Sequence, residues 1–414
     1  MANSKSDVTT KDIFSKAYNF TKAEEIKSEG LYPYFKPLQA TDGTIVQIDG
    51  NDVIMAGSNN YLGLTNDPRV IEAARDVIKV YGTGCTGSRY LNGTLDLHLE
   101  LEDKLADFMR KDSCVLFSTG YQTNEGSIQT IAGRKDIIFS DKDNHACIVT
   151  GTLVSNAKTM RYQHNNMEQL EKLLNRADEQ AGKIIVSDGV FSMSGTIAKV
   201  PELVRLKEEF GARLYLDDAH AIGVVGEGGR GSASTHGMMD DVDLISGTFS
   251  KSFASLGGFL VGDREVIEYI RHNSPAHIFS ASMPPANVAT VLKALEILKE
   301  ETWRLDRLKE ISDYMRTELR DMGFNVWSSE TPIIPVVIGE MEECFRFWKK
   351  LLEAGVYVNA VVPPAVPQGM SLLRTSYMAT HTDEHLDRIL EAFRKVGIDQ
   401  GIIDQNGHSL LENE

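Results

Sequence analysis

Lys251 sits in Gly247-Thr248-Phe249-Ser250-Lys251-Ser252, where hydroxyls at 248, 250 and 252 surround one amine and no carboxylate lies beside it. Such an amine, close to buried structure, is a candidate for a lowered pKa and for imine formation with a carbonyl. A solvated surface lysine is the plain alternative, and this motif alone does not overturn it. Three more stretches could do chemistry. Ser118-Thr119-Gly120-Tyr121-Gln122-Thr123-Asn124 reads as a polar turn opening a helix, whose bare backbone N–H groups suit a phosphate; an ordinary capped turn would look the same. Asp141-Lys142-Asp143-Asn144-His145 places an imidazole just past a strand, where a lone His is more often structural than catalytic. Leu214-Tyr215-Leu216-Asp217-Asp218-Ala219-His220 ends an apolar strand in two carboxylates and a His. A carboxylate there could pair with a cationic heterocycle, or simply cap a turn. Taken singly, each motif has a bland reading. All four, however, fall at the C-terminal ends of expected strands, where open α/β sheets bind ligands.

The elements that must position them follow from apolar periodicity. Short apolar runs at 114–118, 137–140, 183–187, 213–217, 243–246 and 258–261 read as buried strands, alternating with 3.6-period helical stretches. Residues 200–210 have Pro201 near the start and Gly211 just past the end, which are helix boundary signals. The run to Arg110 that contains Leu95, Leu97, Leu99, Leu101, Leu105 and Phe108 fits both periods, but it is too long and too charged for a strand. Strand–helix alternation implies a mostly parallel central sheet covered on both faces. Residues 44–55 read as two short strands around a Gly-Asn turn. After about 285, charged helical patterns at 287–301, 306–322, 342–354 and 383–396 alternate with β-rich runs at 332–338 and 371–376, a smaller α+β unit. The expected fold class is therefore α/β. The domains are 1–60 (an N-terminal helix and short strands), 61–285 (the large domain), 286–398 (the small C-terminal domain) and 399–414 (a polar, loose tail). Residues 11–35 are amphipathic, which suits either a membrane interface or packing on the protein itself, the commoner fate.

Composition sets limits on function. The 414 residues carry 43 Lys+Arg against 59 Asp+Glu, a formal charge of −16, which argues against a nucleic-acid footprint. No apolar run approaches a membrane span, and the first sixteen residues hold no apolar signal core, so a cytoplasmic protein is expected. Cys85, Cys114, Cys147 and Cys344 are scattered, which suits neither a disulfide framework nor a zinc site. Gly82–Gly87 and Gly226–Gly231 both match G-x-G-x-x-G, but neither lies between a strand and a helix, so both read as flexible turns. His381 and His385 could share a metal on one helix face, yet no third ligand is apparent and no metal is expected.

The four motifs, in this chain order, resemble the fold-type I pyridoxal-phosphate (PLP) enzymes and, within them, the α-oxoamine synthases. The resemblance runs from Gly30 to about Val396. It includes Ser58-Asn59-Asn60-Tyr61-Leu62-Gly63-Leu64, Phe191-Ser192-Met193 and Ser282-Met283-Pro284-Pro285. The stretches 82–96, 247–258 and 373–382 look like the family's bacterial branch that uses serine and a long acyl chain. The resemblance implies a decarboxylative condensation of L-serine with a long-chain acyl-CoA such as palmitoyl-CoA. It implies that Lys251 bonds PLP and then acts as base, that Asp217 pairs with the ring nitrogen, and that His145 stacks on the ring. His220, with Ser192 nearby, would hold the phenolic oxygen; Gly120, Tyr121, Thr248 and Ser250 would hold the phosphate. Asn59, Ser88 and Arg374 would orient serine, with Arg374 suited to a planar carboxylate. A homodimer with shared active sites is implied, the Ser280–Met283 turn coming from the partner; peripheral contact with the inner membrane is left open. Sister activities that keep the same PLP residues use glycine with acetyl-CoA or alanine with a pimeloyl thioester. A non-catalytic partner subunit lies further behind. Two positions depart from the family pattern: Ser194 stands where an acid is frequent, and Cys147 where Ser is usual.

Overall fold

In the computed structural model, residues 12–410 are described, and the polar stretch 1–10 lies outside them. Three sheets form. The largest has seven strands, β4 (Ser113–Phe117), β5 (Asp136–Asp141), β6 (Lys158–Tyr162), β7 (Gly182–Asp188), β8 (Arg213–Asp217), β9 (Leu244–Thr248) and β10 (Gly258–Gly262), in the order β4-β10-β9-β8-β7-β5-β6. Only β10 runs against the others. Alternate residues of a strand enter cores on opposite faces: Leu214 and Leu216 lie in one cluster and Tyr215 in the other. This is the mostly parallel, doubly covered sheet read from the sequence. The strand β6, which the sequence reading missed, is an edge strand with one buried residue, so it has no apolar run to betray it.

The second sheet joins β1 (Ala40–Thr41), β2 (Ile45–Ile48) and β3 (Asn51–Met55) to β12 (Val356–Tyr357), which pairs in parallel with β3. The third comprises β11 (Ile333–Gly339), β14 (Ser371–Ser376) and β13 (Asn359–Val361), all antiparallel. Helices Trp303–Asp321, Met341–Glu353 and Asp383–Asp399 cover it through Ile311, Phe347, Trp348, Ile389 and Phe393. Two groupings made on sequence shift. Helix Pro285–Glu300, placed with the C-terminal unit for its charged texture, buries Val288, Val291, Leu295 and Leu298 in the core of the large sheet. Leu31, Ile54 and Ala56, from the N-terminal stretch, belong to the C-terminal core. The tail is not loose from 399: Ile402 and Ile403 are buried in that core, two apolar residues that a polar average conceals. Residues 411–414 lie outside the described residues.

The amphipathic N-terminal stretch forms two short helices, Ser15–Tyr18 and Lys22–Ser28, with no buried residue. Ile26 packs against the C-terminal core, while Phe14, Phe20 and Phe35 are exposed. Both glycine-rich segments are turns: Gly82 closes a helix at φ +75°, and Gly226, Gly228, Gly229 and Gly231 all have positive φ. His381 and His385 each accept a nearby backbone N–H on Nδ1, from Met378 and Thr382.

Candidate active site

The C-terminal ends of β5, β7, β8 and β9 open onto one cavity of about 490 Å³. Lys251 follows β9 by three residues and lines it, with Asp217 at the end of β8, His145 at the start of the helix after β5, and Gly120 and Tyr121 at the start of the helix after β4. His220, Ser192, Thr248, Ser250, Asn59 and Arg374 line it as well. Of the residues singled out on sequence, one is elsewhere. Ser88 is buried beside Ala281, bridged to it, and its hydroxyl meets no partner.

At one end the helix Gly120–Ile131 begins. Thr119 caps it by accepting the Gln122 N–H at 3.1 Å, and the N–H groups of Gly120 and Tyr121 donate to nothing in the described protein. A Cβ on Gly120 would lie 2.7 Å from Thr248 Oγ1, and one on Gly258 would lie 2.7 Å from Gly120 Cα. Only glycines allow this close approach, and it brings free N–H groups beside two hydroxyls, since Thr248 Oγ1 and Ser250 Oγ lie 2.9 Å apart. The cradle suits a phosphate.

Charge is set on the sheet. Asp217 is buried, with Oδ1 accepting the Ala219 N–H at 3.0 Å and Oδ2 accepting Asn124 Nδ2 at 2.7 Å. Lys251 is pushed down to about 8, because burial penalises the ammonium more than the Asp217 charge favours it. Burial also lowers His145, outweighing the Asp217 charge that favours its cation, and it holds His220 well below the usual imidazole range. Tyr61, wholly buried, places its hydroxyl 2.7 Å from His220 Nδ1 and 3.3 Å from Asn59 Oδ1.

Arg374, on β14, is 5% exposed. Its Nε donates to the Ser192 carbonyl at 2.6 Å and one Nη donates to Asn59 Oδ1 at 3.0 Å. Among the described residues no carboxylate forms an ion pair with it, so the structural ion pair that would be its plain explanation is missing. A rigid two-pronged donor held without an acid partner, in a cavity, suits a carboxylate ligand.

Asn124, Asp188 and Asn359 are polar residues of the lining to which sequence reasoning gave no role of their own. Asn124 is one helical turn into the helix that starts at Gly120. Asp188 ends β7 just as Asp217 ends β8, and that parallel was the signal available. Asn359, paired in register with Arg374, donates to the Gly57 carbonyl at 2.6 Å. Cys147, noted only as a departure, lies in the lining with Sγ 2.8 Å from His145 Nδ1. Ser194 turns to Thr196, their hydroxyls 2.7 Å apart.

A phosphate cradle, a depressed lysine amine and a buried carboxylate at the strand ends of a mostly parallel sheet define a PLP-dependent transferase of fold type I. Residues 51–393 match the model of the aminotransferase class I and II family. The chain belongs to that family and, within it, to the α-oxoamine synthases. It is 50% identical over 378 residues to a serine palmitoyltransferase of Sphingobacterium spiritivorum, covering 91% of this chain and 95% of that one. It is 42% identical over 383 residues to an 8-amino-7-oxononanoate synthase of Thermoanaerobacter pseudethanolicus, covering 92% and 97%. Among solved structures it is similar to a lysine-to-alanine variant of the S. paucimobilis serine palmitoyltransferase with a bound PLP–myriocin aldimine, at TM-score 0.92 and 35% identity, covering 95% and 100%.

Proposed function

We propose that this protein condenses L-serine with a long-chain acyl-CoA, palmitoyl-CoA or close to it, giving 3-oxosphinganine, CoA and carbon dioxide, with PLP as cofactor. The observation that carries this reading is Arg374: a buried guanidinium with no acid partner, in the same cavity as the Lys251 amine, on a chain half identical to a serine palmitoyltransferase.

Bound PLP supplies an electron sink for negative charge at the amino acid's α-carbon. In this reading Lys251 holds the cofactor and, once freed, takes the α-proton on Nζ, a task suited to an amine near 8. Asp217 holds the ring nitrogen's proton. His145 covers the ring face, and His220 with Ser192 attends the phenolic oxygen. Gly120, Tyr121, Thr248 and Ser250 hold the phosphate. Asn59 and Arg374 orient the serine carboxylate. The reaction then joins the serine α-carbon to the thioester carbonyl, expels the CoA thiolate, and releases the serine carboxyl as carbon dioxide, a proton taking its place on the α-carbon.

The reading includes a homodimer in which the segment at 280–283 of one copy faces the cavity of the other. The place of that segment outside this chain's own cavity lining supports it, as do the neighbouring Phe279 and Leu91, 85% and 77% exposed. It also places the protein in the cytoplasm, touching the inner membrane through Phe14, Phe20 and Phe35. No helix among the described residues is long and apolar enough to cross a membrane.

The test is the visible spectrum of the purified protein, alone and with L-serine, glycine or L-alanine, followed by product analysis with palmitoyl-CoA or acetyl-CoA. We expect a band that shifts with serine and is absent from Lys251→Ala, and turnover of the long-chain thioester only. A response to alanine or glycine but not to serine would move the assignment to a sister synthase. No band even with added PLP would sink the catalytic reading.

A further inference from the structure

Two carboxyls end neighbouring strands in the cavity. Asp188 on β7 and Asp217 on β8 are register partners, and both are buried. Two adjacent buried carboxyls do not both ionise readily, and the one with more donors keeps the charge. Asp217 accepts the Ala219 N–H and Asn124 Nδ2, with Cys147 Sγ 3.9 Å from Oδ2. Among the described residues Asp188 accepts only the His145 N–H, at 3.1 Å, and its Oδ1 meets no donor.

The Asn124 amide has a fixed direction. Its Oδ1 accepts from Tyr215 Oη at 2.8 Å and from Ser246 Oγ at 2.9 Å, and the side chain is 2% exposed. Burial keeps the Tyr215 phenol protonated, so it remains a donor. A flipped amide would set its NH₂ against both hydroxyls and turn an oxygen toward a carboxylate. Ser246 is itself the register partner of Asp217, so Asp188, Asp217 and Ser246 form one row across three strands, with Asn124 lying over it. The other titratable groups around Asp217 are Lys251, His145, Cys147, Tyr215 and the adjacent buried Asp218, and the Lys251 charge favours an anion on either carboxyl.

We propose that Asn124 is a positioning residue: locked by Tyr215 and Ser246, it makes Asp217, and not Asp188, the anion available to a cationic ring nitrogen. Burial and the adjacent Asp217 charge push the Asp188 carboxyl well above the usual carboxylate range, in keeping with a neutral Asp188. The inference rests on the PLP reading above, and its test separates the two.

The PLP dissociation constant of the apoprotein is measured between pH 6 and 9 for the unaltered protein, Asn124→Leu, Ser246→Ala, Asp188→Asn and Asp217→Asn, with circular dichroism as the check on folding. The Asn124 hydrogen bond favours the anion at Asp217 over the acid, so Asn124→Leu should bind PLP at least ~10-fold more weakly at the acid end, with the deficit closing as pH rises. Ser246→Ala should show a smaller deficit with the same pH trend. Asp188→Asn, nearly isosteric with a neutral acid, should stay within about twofold, while Asp217→Asn should lose ~100-fold or more. A pH-independent loss in Asn124→Leu would mark packing alone and overturn the proposal, as would comparable losses in Asp188→Asn and Asp217→Asn. If Asn124→Leu does not fold, Ser246→Ala and the two Asp→Asn variants decide by the same criteria. Failure of the unaltered protein to bind PLP would overturn the function reading itself, and this assignment with it.

Discussion

Lys251 in the apoprotein should titrate near 8 instead of near 10.5. Burial disfavours its ammonium, the Arg374 charge adds to this, and the Asp217 carboxylate opposes it without winning. That difference is worth ~3 kcal/mol between the two protonation states. At pH 7 about a tenth of the side chain is then free amine, against roughly three parts in ten thousand for an ordinary lysine, a gain of ~300-fold in nucleophile. The assay is competitive acylation of the apoprotein with trace reagent from pH 6 to 11, reading the Lys251 peptide by mass spectrometry against exposed lysines of the same digest. Access to the cavity changes the absolute rate but not the midpoint. Asp217→Asn removes an anion that holds the proton on, so its midpoint should fall further. The sign carries through to stability. The folded pKa is depressed, so the unfolded chain binds more protons between 8 and 10.5, and apoprotein stability should rise with pH across that window. Lys251→Met should remove that component of the rise. A midpoint shared with the exposed lysines would refute the argument that burial tunes this amine.

Three further outcomes follow from the geometry. Arg374→Lys keeps the charge but loses the two-pronged donor, so the serine KM should rise ~100-fold with PLP affinity nearly unchanged, from the roughly 3 kcal/mol that paired charge-assisted hydrogen bonds contribute. Gly120→Ala would set a methyl 2.7 Å from Thr248 Oγ1 and should weaken PLP binding ~10-fold or more, at an overpacking cost of about 1–3 kcal/mol read by denaturant unfolding. Tyr61→Phe deletes the hydroxyl 2.7 Å from His220 Nδ1 and leaves a buried ring nitrogen without its partner. It should cost about 1–3 kcal/mol in stability by thermal unfolding and lower kcat/KM.

What the sequence carried and what it hid divide along physical lines. Strands β4, β5, β7, β8, β9 and β10 are buried on both faces, so they appear as apolar runs, and the residues just past their ends were legible by position alone. Lys251, Asp217 and His145 were found that way. The edge strand β6 lacks the second apolar face and left no run. Which core a helix serves was hidden as well. Pro285–Glu300 and Trp303–Asp321 are both charged amphipathic segments, yet they pack into different clusters, and only the fold decides between them.

The electrostatics of the cavity were hidden for a different reason, since they depend on pairings across strands. Asp188 and Asp217 are both acids at strand ends, and nothing local marks one as neutral and the other as charged. The difference arises from Asn124, 93 residues before Asp217, whose amide direction is set by Tyr215 on β8 and Ser246 on β9. Tyr215 points to the face of the sheet opposite Leu214 and Leu216, and its core position gives no hint on sequence that its hydroxyl orients an amide. Arg374 shows the same dependence from the other direction. An arginine on a strand is explained by default through an acid partner, and only the assembled cavity, where Ser192 and Asn59 take its donors and no acid does, leaves its charge free for a ligand.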